Sequence, residues 1–362
     1  MMNRDNTRFR VTAEEVARKC GVSRGTVDRA LHGRSGISEK TREHILNTVE
    51  ELGYRPHALA RGLVKGRSLN IGLVTLSVHN PYISELIAAT EMEARRNGYF
   101  TYVTNTDMEP DVEVECIEHL IDRSVDGIIL QSINAGASYA NWLESLQLPV
   151  VAFGNRISPN IPFVGIDDRT AAREATEYLH GHGYEEIAIV CPPLRYLGTT
   201  NIDAQEQRYL GFLDAMNRVA GPDKPPLVIR NKDFSALLDF VSNKNGDKAA
   251  VFCTSDIFAL DVMNFLMERG YRIPRDVGIM GFDNIEILSY VRPRLATVDQ
   301  MVKTIGQTAI TRLLASVNGE TIPANTVCPH RLVEGDSITT REASPDMSAV
   351  PPPSLEAESR YN

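Results

Sequence analysis

The sequence predicts an α/β protein of two parallel-sheet lobes preceded by a small all-α module, and three observations carry that expectation. Three short helical patterns, each with a cap and a glycine stop, crowd between Thr12 and Gly53. From residue 69 onward, short apolar runs alternate with amphipathic stretches, the pattern of parallel strands covered by helices. The charge is split as well: residues 1–67 hold 14 Lys+Arg against 8 Asp+Glu, and the rest of the chain holds 24 against 39. A basic module on an acidic body implies a polyanionic partner for the module alone. At 362 residues, 43% of them hydrophobic, the chain is long enough for two or three domains.

The first helix opens on a capping box. Thr12 can accept from the Glu15 amide while Glu15 reaches back to Thr12, and Val16, Ala17 and Cys20 form the apolar face. Gly21 stops it, because the residue after a helix end is commonly left-handed. Ser23 then caps a second helix bearing Val27, Ala30 and Leu31. Ser38 caps a third, running through Ile45, Leu46, Val49 and Leu52 to Gly53. Two short helices joined by a tight glycine turn match a helix-turn-helix. With the apolar side of helix two packed inward, Arg24, Gly25, Asp28 and Arg29 face outward. In that motif the second helix enters the major groove, where an arginine fork suits guanine O6 and N7. Thr12, Ser23, Thr26, Ser38 and Thr41 sit at helix starts, where hydroxyls hold phosphates or serve only as caps. Asp28 orients Arg24 or Arg29, or is a solvated charge. The run from Pro56 to Leu63 is a helix too short to stand alone.

Strands are predicted at "LNIGLVTL", "YFTYVTN", "VDGIILQS", "LPVVAFGN", "EIAIVCP", "PPLVIRN", "KAAVFCTSD" and "DVGIMGFDN". One large sheet or two half-sized sheets fit equally well. A fresh Asp-capped helix at "VGIDDRTAAREATEYLHGHGY" implies a crossing near the middle, and the extended segment and long helix of "RPRLATVDQMVKTIGQTAITRLLASV" imply a return. The expected boundaries are a headpiece over 1–56, a linker over 57–68, a first lobe over 69–167 plus 299–324, a second over 168–298 plus 325–341, and a disordered tail over 342–362, whose Pro, Ser and acidic residues cannot bury a core. The polar residues gather at the carboxyl ends of the strands, where open α/β sheets bind ligands: Ser77, His79, Asn80 and Tyr82, then Asn105, Gln131, Ser132 and Asn155, then Ser255, Asp256 and Asp283. Arg208 follows in the second lobe. An arginine with aspartate partners suits vicinal hydroxyls, one side donating and the other only accepting. Asp256 is equally suited to capping its own helix.

Other chemistries are not supported. No phosphate-cradling glycine motif, nucleophile elbow or Ser/His/Asp constellation occurs, so no enzyme, cofactor or metal is expected. The five cysteines form no CxxC pair, and His180 and His182 stand at a helix end without further ligands. The N-terminus has no apolar signal region and no run suits a membrane span, which points to a cytoplasmic protein.

Residues 11–68 resemble the DNA-binding headpiece of the LacI/GalR family of bacterial transcription regulators. Gly21-Val22-Ser23, Thr26-Val27, Arg29, Ser38, Lys40-Thr41-Arg42 and Gly53-Tyr54-Arg55-Pro56 carry the likeness, which extends over about residues 12–341. It implies a periplasmic-binding-protein-like core, a pseudo-palindromic operator DNA, a homodimer, and a small-molecule effector, by family habit a sugar, in the cleft between lobes. It places Arg24, Gly25 and Arg29 on base-reading positions, with His32, Tyr54 and His57 completing the DNA-facing set. Residues 57–63 become a hinge helix in which Ala60 permits close pairing and Leu63 wedges a base step. Arg208 and Asp283 fall on effector-holding positions. Gly25 and Asp28 depart from commoner family residues on the DNA-facing helix, which leaves the operator sequence open. Gly154 and Ser255 depart in the core, which leaves the effector open to a non-sugar metabolite. The implied regulator is a repressor, with a corepressor-dependent or activating one as the alternative.

Overall fold

The computed structural model describes residues 11–31, 33–54, 67–193, 200–219, 221, 225–230, 232–242 and 248–339. The chain divides into two compact units, 1–69 and 70–362.

In the first unit, α1 (Ala13–Cys20), α2 (Arg24–Leu31) and α3 (Glu39–Glu51) begin and end where the sequence signals. The Thr12 hydroxyl accepts the Glu15 N–H and the Glu15 carboxylate accepts the Thr12 N–H at 2.7 Å. Gly21 is left-handed at φ 67°. Ser23 Oγ accepts from the Thr26 N–H at 3.2 Å and Ser38 Oγ from the Thr41 N–H at 3.1 Å. Val16, Ala17, Val27, Ala30 and Ile45 are buried together, with Cys20, Leu31, Val49, Leu52 and Tyr54 packed against them. Leu46 departs from the expected packing face and is 42% exposed. The buried stripe follows the spacing 45, 49 and 52, and Leu46 lies a residue's turn outside it. Arg42 closes the far end of α2, donating from Nη1 to the Ala30 carbonyl at 3.3 Å and from Nη2 to that of Arg34 at 2.9 Å. A cation at the carbonyl end of a helix also opposes its dipole.

The second unit holds two parallel sheets. The first has the order β11-β5-β4-β3-β1-β2, built from β1 (Asn70–Thr75), β2 (Phe100–Asn105), β3 (Gly127–Leu130), β4 (Val150–Phe153), β5 (Phe163–Gly165) and β11 (Asn325–Val327). The second has the order β7-β6-β8-β9, from β6 (Tyr184–Val190), β7 (Val228–Ile229), β8 (Lys248–Cys253) and β9 (Gly278–Met280). A short antiparallel pair, β10 (Thr297–Asp299) with β12 (Arg331–Val333), is joined to the second sheet by bridges from Met280 to Ala296 and from Asp283 to Asp299. Strands β3, β4, β8 and β9 are almost wholly buried, as their near-continuous apolar sequences require.

The covering helices of the first sheet include α4 (Pro81–Arg96), α5 (Pro110–Asp122), α6 (Ala137–Ser145) and α11 (Val302–Val317). Those of the second include α7 (Asp168–Gly181), α8 (Asp203–Val219), α9 (Ala236–Ser242) and α10 (Asp256–Met267). The chain crosses between sheets after β5, after β10, and between β11 and β12. One expected boundary shifts: Asn325–Val327 pairs with Phe163–Gly165 in the first sheet, so the last crossing comes after Val327 rather than at 325. Two helix pairs approach closely enough to require glycine. A Cβ on Gly306 would lie 2.9 Å from the Ala89 Cβ, between α11 and α4, and one on Gly211 would overlap the Arg169 carbonyl, between α8 and α7.

Candidate functional site

The first candidate surface is the outer face of α2. With Val27 and Ala30 turned inward, Arg24, Gly25 and Arg29 are exposed. Arg24 lies 4.0 Å from Glu14 with its side chain 67% exposed, a contact of little energetic weight. Asp28 accepts from Arg34 Nη1 at 3.2 Å, a partner sequence reasoning did not name. A Cβ on Gly25 would meet nothing nearer than Ser23 Oγ at 3.8 Å, so nothing within the described headpiece demands a glycine there. The hydroxyls of Thr12, Ser23 and Ser38 act as caps; Ser23 also pairs with Thr26 Oγ1 at 2.9 Å and Ser38 with Thr41 Oγ1 at 2.7 Å. Tyr54 is half-buried against the headpiece core. His32, His57, Ala60 and Leu63 lie outside the described residues.

The second candidate site lies between the sheets and centres on Arg208, which is 5% exposed. Its Nε donates to Asp168 Oδ1 at 2.8 Å, and Nη1 donates to the Thr254 carbonyl at 2.7 Å and to Asp283 Oδ1 at 3.3 Å. The guanidinium carbon lies 3.8 Å from the centroid of the Phe282 ring, so one face of the fork is covered and its plane fixed. Gln300 Nε2 donates to Asp283 Oδ1 at 2.6 Å. Among the described residues, Arg208 Nη2 and Asp283 Oδ2 have no bonding partner. Asp283 sits at φ 124°, a region few side chains adopt. Burial pushes its carboxyl up to about 7, against the pull of Arg208, with Asp256 adding to the rise. Arg208 keeps its charge, because Asp168 and Asp283 outweigh the cost of burial. Tyr82 approaches from the first lobe. It is buried, and burial together with the Asp283 carboxylate raises its hydroxyl well above the ordinary phenol range. The arrangement offers one planar donor, anionic acceptors and an aromatic hydroxyl from the opposite lobe.

Several expected contact residues are instead used inside the protein. Asp256 is wholly buried: Thr297 Oγ1 donates to its Oδ1 at 2.6 Å and the Ile285 N–H to its Oδ2 at 3.0 Å. It braces the loop that carries Asp283, and the helix cap is Ser255, whose Oγ accepts from the Phe258 N–H at 3.3 Å. Asn155 is bonded similarly. Its Nδ2 donates to the carbonyls of Ser132 and Asn201, and its Oδ1 accepts from the Ala204 N–H. Asn80 caps α4 through the Tyr82 N–H at 3.0 Å, and the Ser77 carbonyl accepts from the Asn80 N–H. Gln131 Oε1 accepts from the Leu76 N–H at 3.2 Å and Asn105 Oδ1 from the Val78 N–H at 3.1 Å. Gly154, at φ 69°, leaves room for the Gln131 amide. His79 is exposed beside them. His182 ends α7, its Nδ1 2.7 Å from the Tyr178 carbonyl oxygen.

Three residues that sequence reasoning missed organise this region. Asp168 follows the true cap Asp167, whose carboxylate takes the Thr170 N–H, and turns inward to Arg208. Glu113, wholly buried on α5, accepts from Ser132 Oγ, the Ile133 N–H, Asn134 Nδ2 and the Tyr139 hydroxyl. It fixes the loop after β3. Asn201, leaving the second sheet, donates from its backbone to the Ile133 carbonyl and from Nδ2 to the carbonyls of Asn134 and Arg156. Asp203 lies 3.7 Å from Arg156, and the Glu286 N–H meets Glu85 Oε1 at 2.8 Å. The two lobes are thus tied directly by protein hydrogen bonds.

Comparison with known proteins agrees with this organisation. Residues 12–57 match the model of bacterial regulatory proteins of the lacI family, and residues 176–338 match a periplasmic binding protein-like domain. Catabolite control protein A of Priestia megaterium is 31% identical over 330 residues, covering 89% of this chain and 97% of that protein. The structure of the Lac repressor dimer bound to operator and the anti-inducer ONPF aligns with a TM-score of 0.77 at 26% identity, over 91% of this chain and 99% of that one. A periplasmic binding protein/LacI transcriptional regulator from Alkaliphilus metalliredigens, complexed with D-xylulofuranose, aligns at 0.66 and 29% identity, over 75% and 99%.

Proposed function

Because the chain belongs to the LacI family of bacterial regulatory proteins, we propose that it is a homodimeric, sugar-responsive repressor that binds a pseudo-palindromic operator. The observation that carries the reading is the outer face of α2, where two exposed arginines, Arg24 and Arg29, flank a glycine that nothing within the described headpiece requires. Arg24 and Arg29 read base edges, and the capping hydroxyls of Thr12, Ser23, Thr26, Ser38 and Thr41 hold backbone phosphates beside Tyr54. His57, Ala60 and Leu63, outside the described residues, complete the operator-contacting set by family resemblance. The effector occupies the cleft at Arg208, Asp283 and Tyr82. The sugar in the Alkaliphilus regulator supports that class of ligand. No helix among the described residues is long and apolar enough to cross a membrane, and action on operator DNA places the protein in the bacterial cytoplasm.

Effector and operator are coupled by one free energy that acts equally in both directions. An inducing sugar loosens operator binding and operator DNA loosens sugar binding by the same factor. Selection of binding sites from a randomised duplex library, at one fixed salt concentration, tests the reading. A palindrome should be enriched, and Arg29→Ala should lose about 1–3 kcal/mol of specific binding and relax one base position. Enrichment only after a metabolite is added would convert the repressor into a corepressor-dependent regulator. An unchanged base profile with Arg29→Ala removes that residue from base reading.

A further inference from the structure

We propose that Asp168 is a specificity-determining residue that restricts the cleft to uncharged polyols and excludes phosphorylated and acidic ligands. The proposal rests on the cleft being the effector site, as argued above. An arginine in a binding cleft is ordinarily an anion receptor, since its fork matches a phosphate or carboxylate bidentately. Arg208 is already matched. Asp168 takes Nε at 2.8 Å and Asp283 takes Nη1 at 3.3 Å, with the Thr254 carbonyl between them at 2.7 Å. Both side-chain carboxylates are nearly as buried as the guanidinium, at 4% and 6% exposure, so water does little to screen them.

The other arginine that acts on Asp168 is Arg156, which lies 3.7 Å from Asp203 and also acts on Asp167. With Asp256, on which Arg208 acts as well, two arginines face five carboxylates. An incoming anion meets a guanidinium already matched at Nε and Nη1, with only its residual Nη2 donors left. A neutral polyol meets complementary partners: its hydroxyls accept from Nη2 and donate to Asp283 Oδ2. Asp168 is what distinguishes this fork from an anion receptor, because its carboxylate already occupies Arg208 Nε at 2.8 Å.

The test measures thermal shift and isothermal titration of the full chain with inorganic phosphate, D-glucose 6-phosphate and D-gluconate, beside a panel of neutral pentoses, hexoses and disaccharides. The parent chain should bind none of the three anions at millimolar concentration. Asp168→Asn keeps the side-chain shape and removes one charge, and it should gain anion affinity by about tenfold or more. That gain should vanish when Arg208→Gln is added. Asp283→Asn serves as the second variant, should Asp168→Asn fail to fold, and should gain anion affinity in the same direction. Anion binding by the parent chain that is lost in Arg208→Gln overturns the proposal, as does a folded Asp168→Asn with no gain. Failure of every neutral sugar to bind would instead overturn the sugar-responsive reading, while the anion measurements still decide the role of Asp168.

Discussion

Gly25 and Asp283 each sit where an ordinary side chain or charge would be easier to accommodate. In α2 an alanine has room, because a Cβ at position 25 meets only Ser23 Oγ at 3.8 Å. Gly25→Ala should slow hydrogen exchange of the α2 amides, corresponding to a stabilisation of a few tenths to about 1 kcal/mol. Operator affinity should fall in the same variant, if close backbone approach is what the glycine supplies. Slower exchange with unchanged operator affinity would leave the residue without a DNA role. At Asp283 the deciding variable is the proton. Its carboxyl is pushed up to about 7 and that of Asp256 to about 6, both chiefly by burial, whereas an unfolded aspartate titrates near 3.9. Between about pH 4 and 7 the unfolded chain binds fewer protons than the folded one, so stability falls as pH rises through that window and levels off above it. Asp283→Asn should flatten the upper part of this slope in urea midpoints measured from about pH 5 to pH 8. Because a sugar hydroxyl donates best to an ionised acceptor, effector affinity of the parent chain should rise over the same interval.

Among the elements, those defined by local chemistry were the legible ones. The caps at Thr12, Ser23, Ser38 and Asp167 and the eight longer apolar runs all correspond to observed helix starts and strands. Strands β5, β11 and β12 escaped, whereas β10 lies in the extended segment expected before the long helix; length does not separate the two groups, since β7 and β9 are as short and were expected. The site residues that were missed divide in the same way. Glu113 did leave a trace: it precedes Ile117 and Leu120 on the buried stripe of α5, where a carboxylate has to be bonded. Asp168 left none, since adjacent aspartates at a helix start do not announce which one caps and which turns inward. Asn201 contacts a loop about seventy residues away by its hydrogen bonds, beyond any local pattern. Helix packing yields a prediction of its own. Gly211→Ala forces a methyl group into the α7 backbone and should cost about 3 kcal/mol, at the upper end of overpacking effects, whereas Ser38→Ala should cost about 1 kcal/mol through the lost cap. Chemical denaturation of the two variants checks both values.

For the molecule as a whole, the ties through Asn201 set how readily the lobes of the second unit separate. Asn201→Ala removes the bonds to the carbonyls of Asn134 and Arg156, each worth about 0.5–1.5 kcal/mol. The Ala204 amide, which donates to Asn155 Oδ1, should then exchange faster by roughly tenfold. A ligand that prefers the closed lobes should bind severalfold more weakly, because its competent state is less populated. An unchanged Ala204 exchange rate would show that these bonds do not govern separation. DNA binding responds to a different variable. Specific and non-specific affinity should both fall steeply with salt as counterions return to the phosphates, and the slope should be the same for the parent chain and Asn201→Ala.

The threefold crossing of the chain also imposes an order in time. The headpiece is complete once Tyr54 has been synthesised, because its core is drawn from a single continuous stretch. Neither lobe can finish until much later: the first sheet waits for β11 at its edge, and the β10 pair waits for β12. Domains fold as units, the N-terminal one first during synthesis. For most of its time on the ribosome, then, a nascent chain carries a formed headpiece with no sensor to control it, and regulation arrives only with β11 and β12.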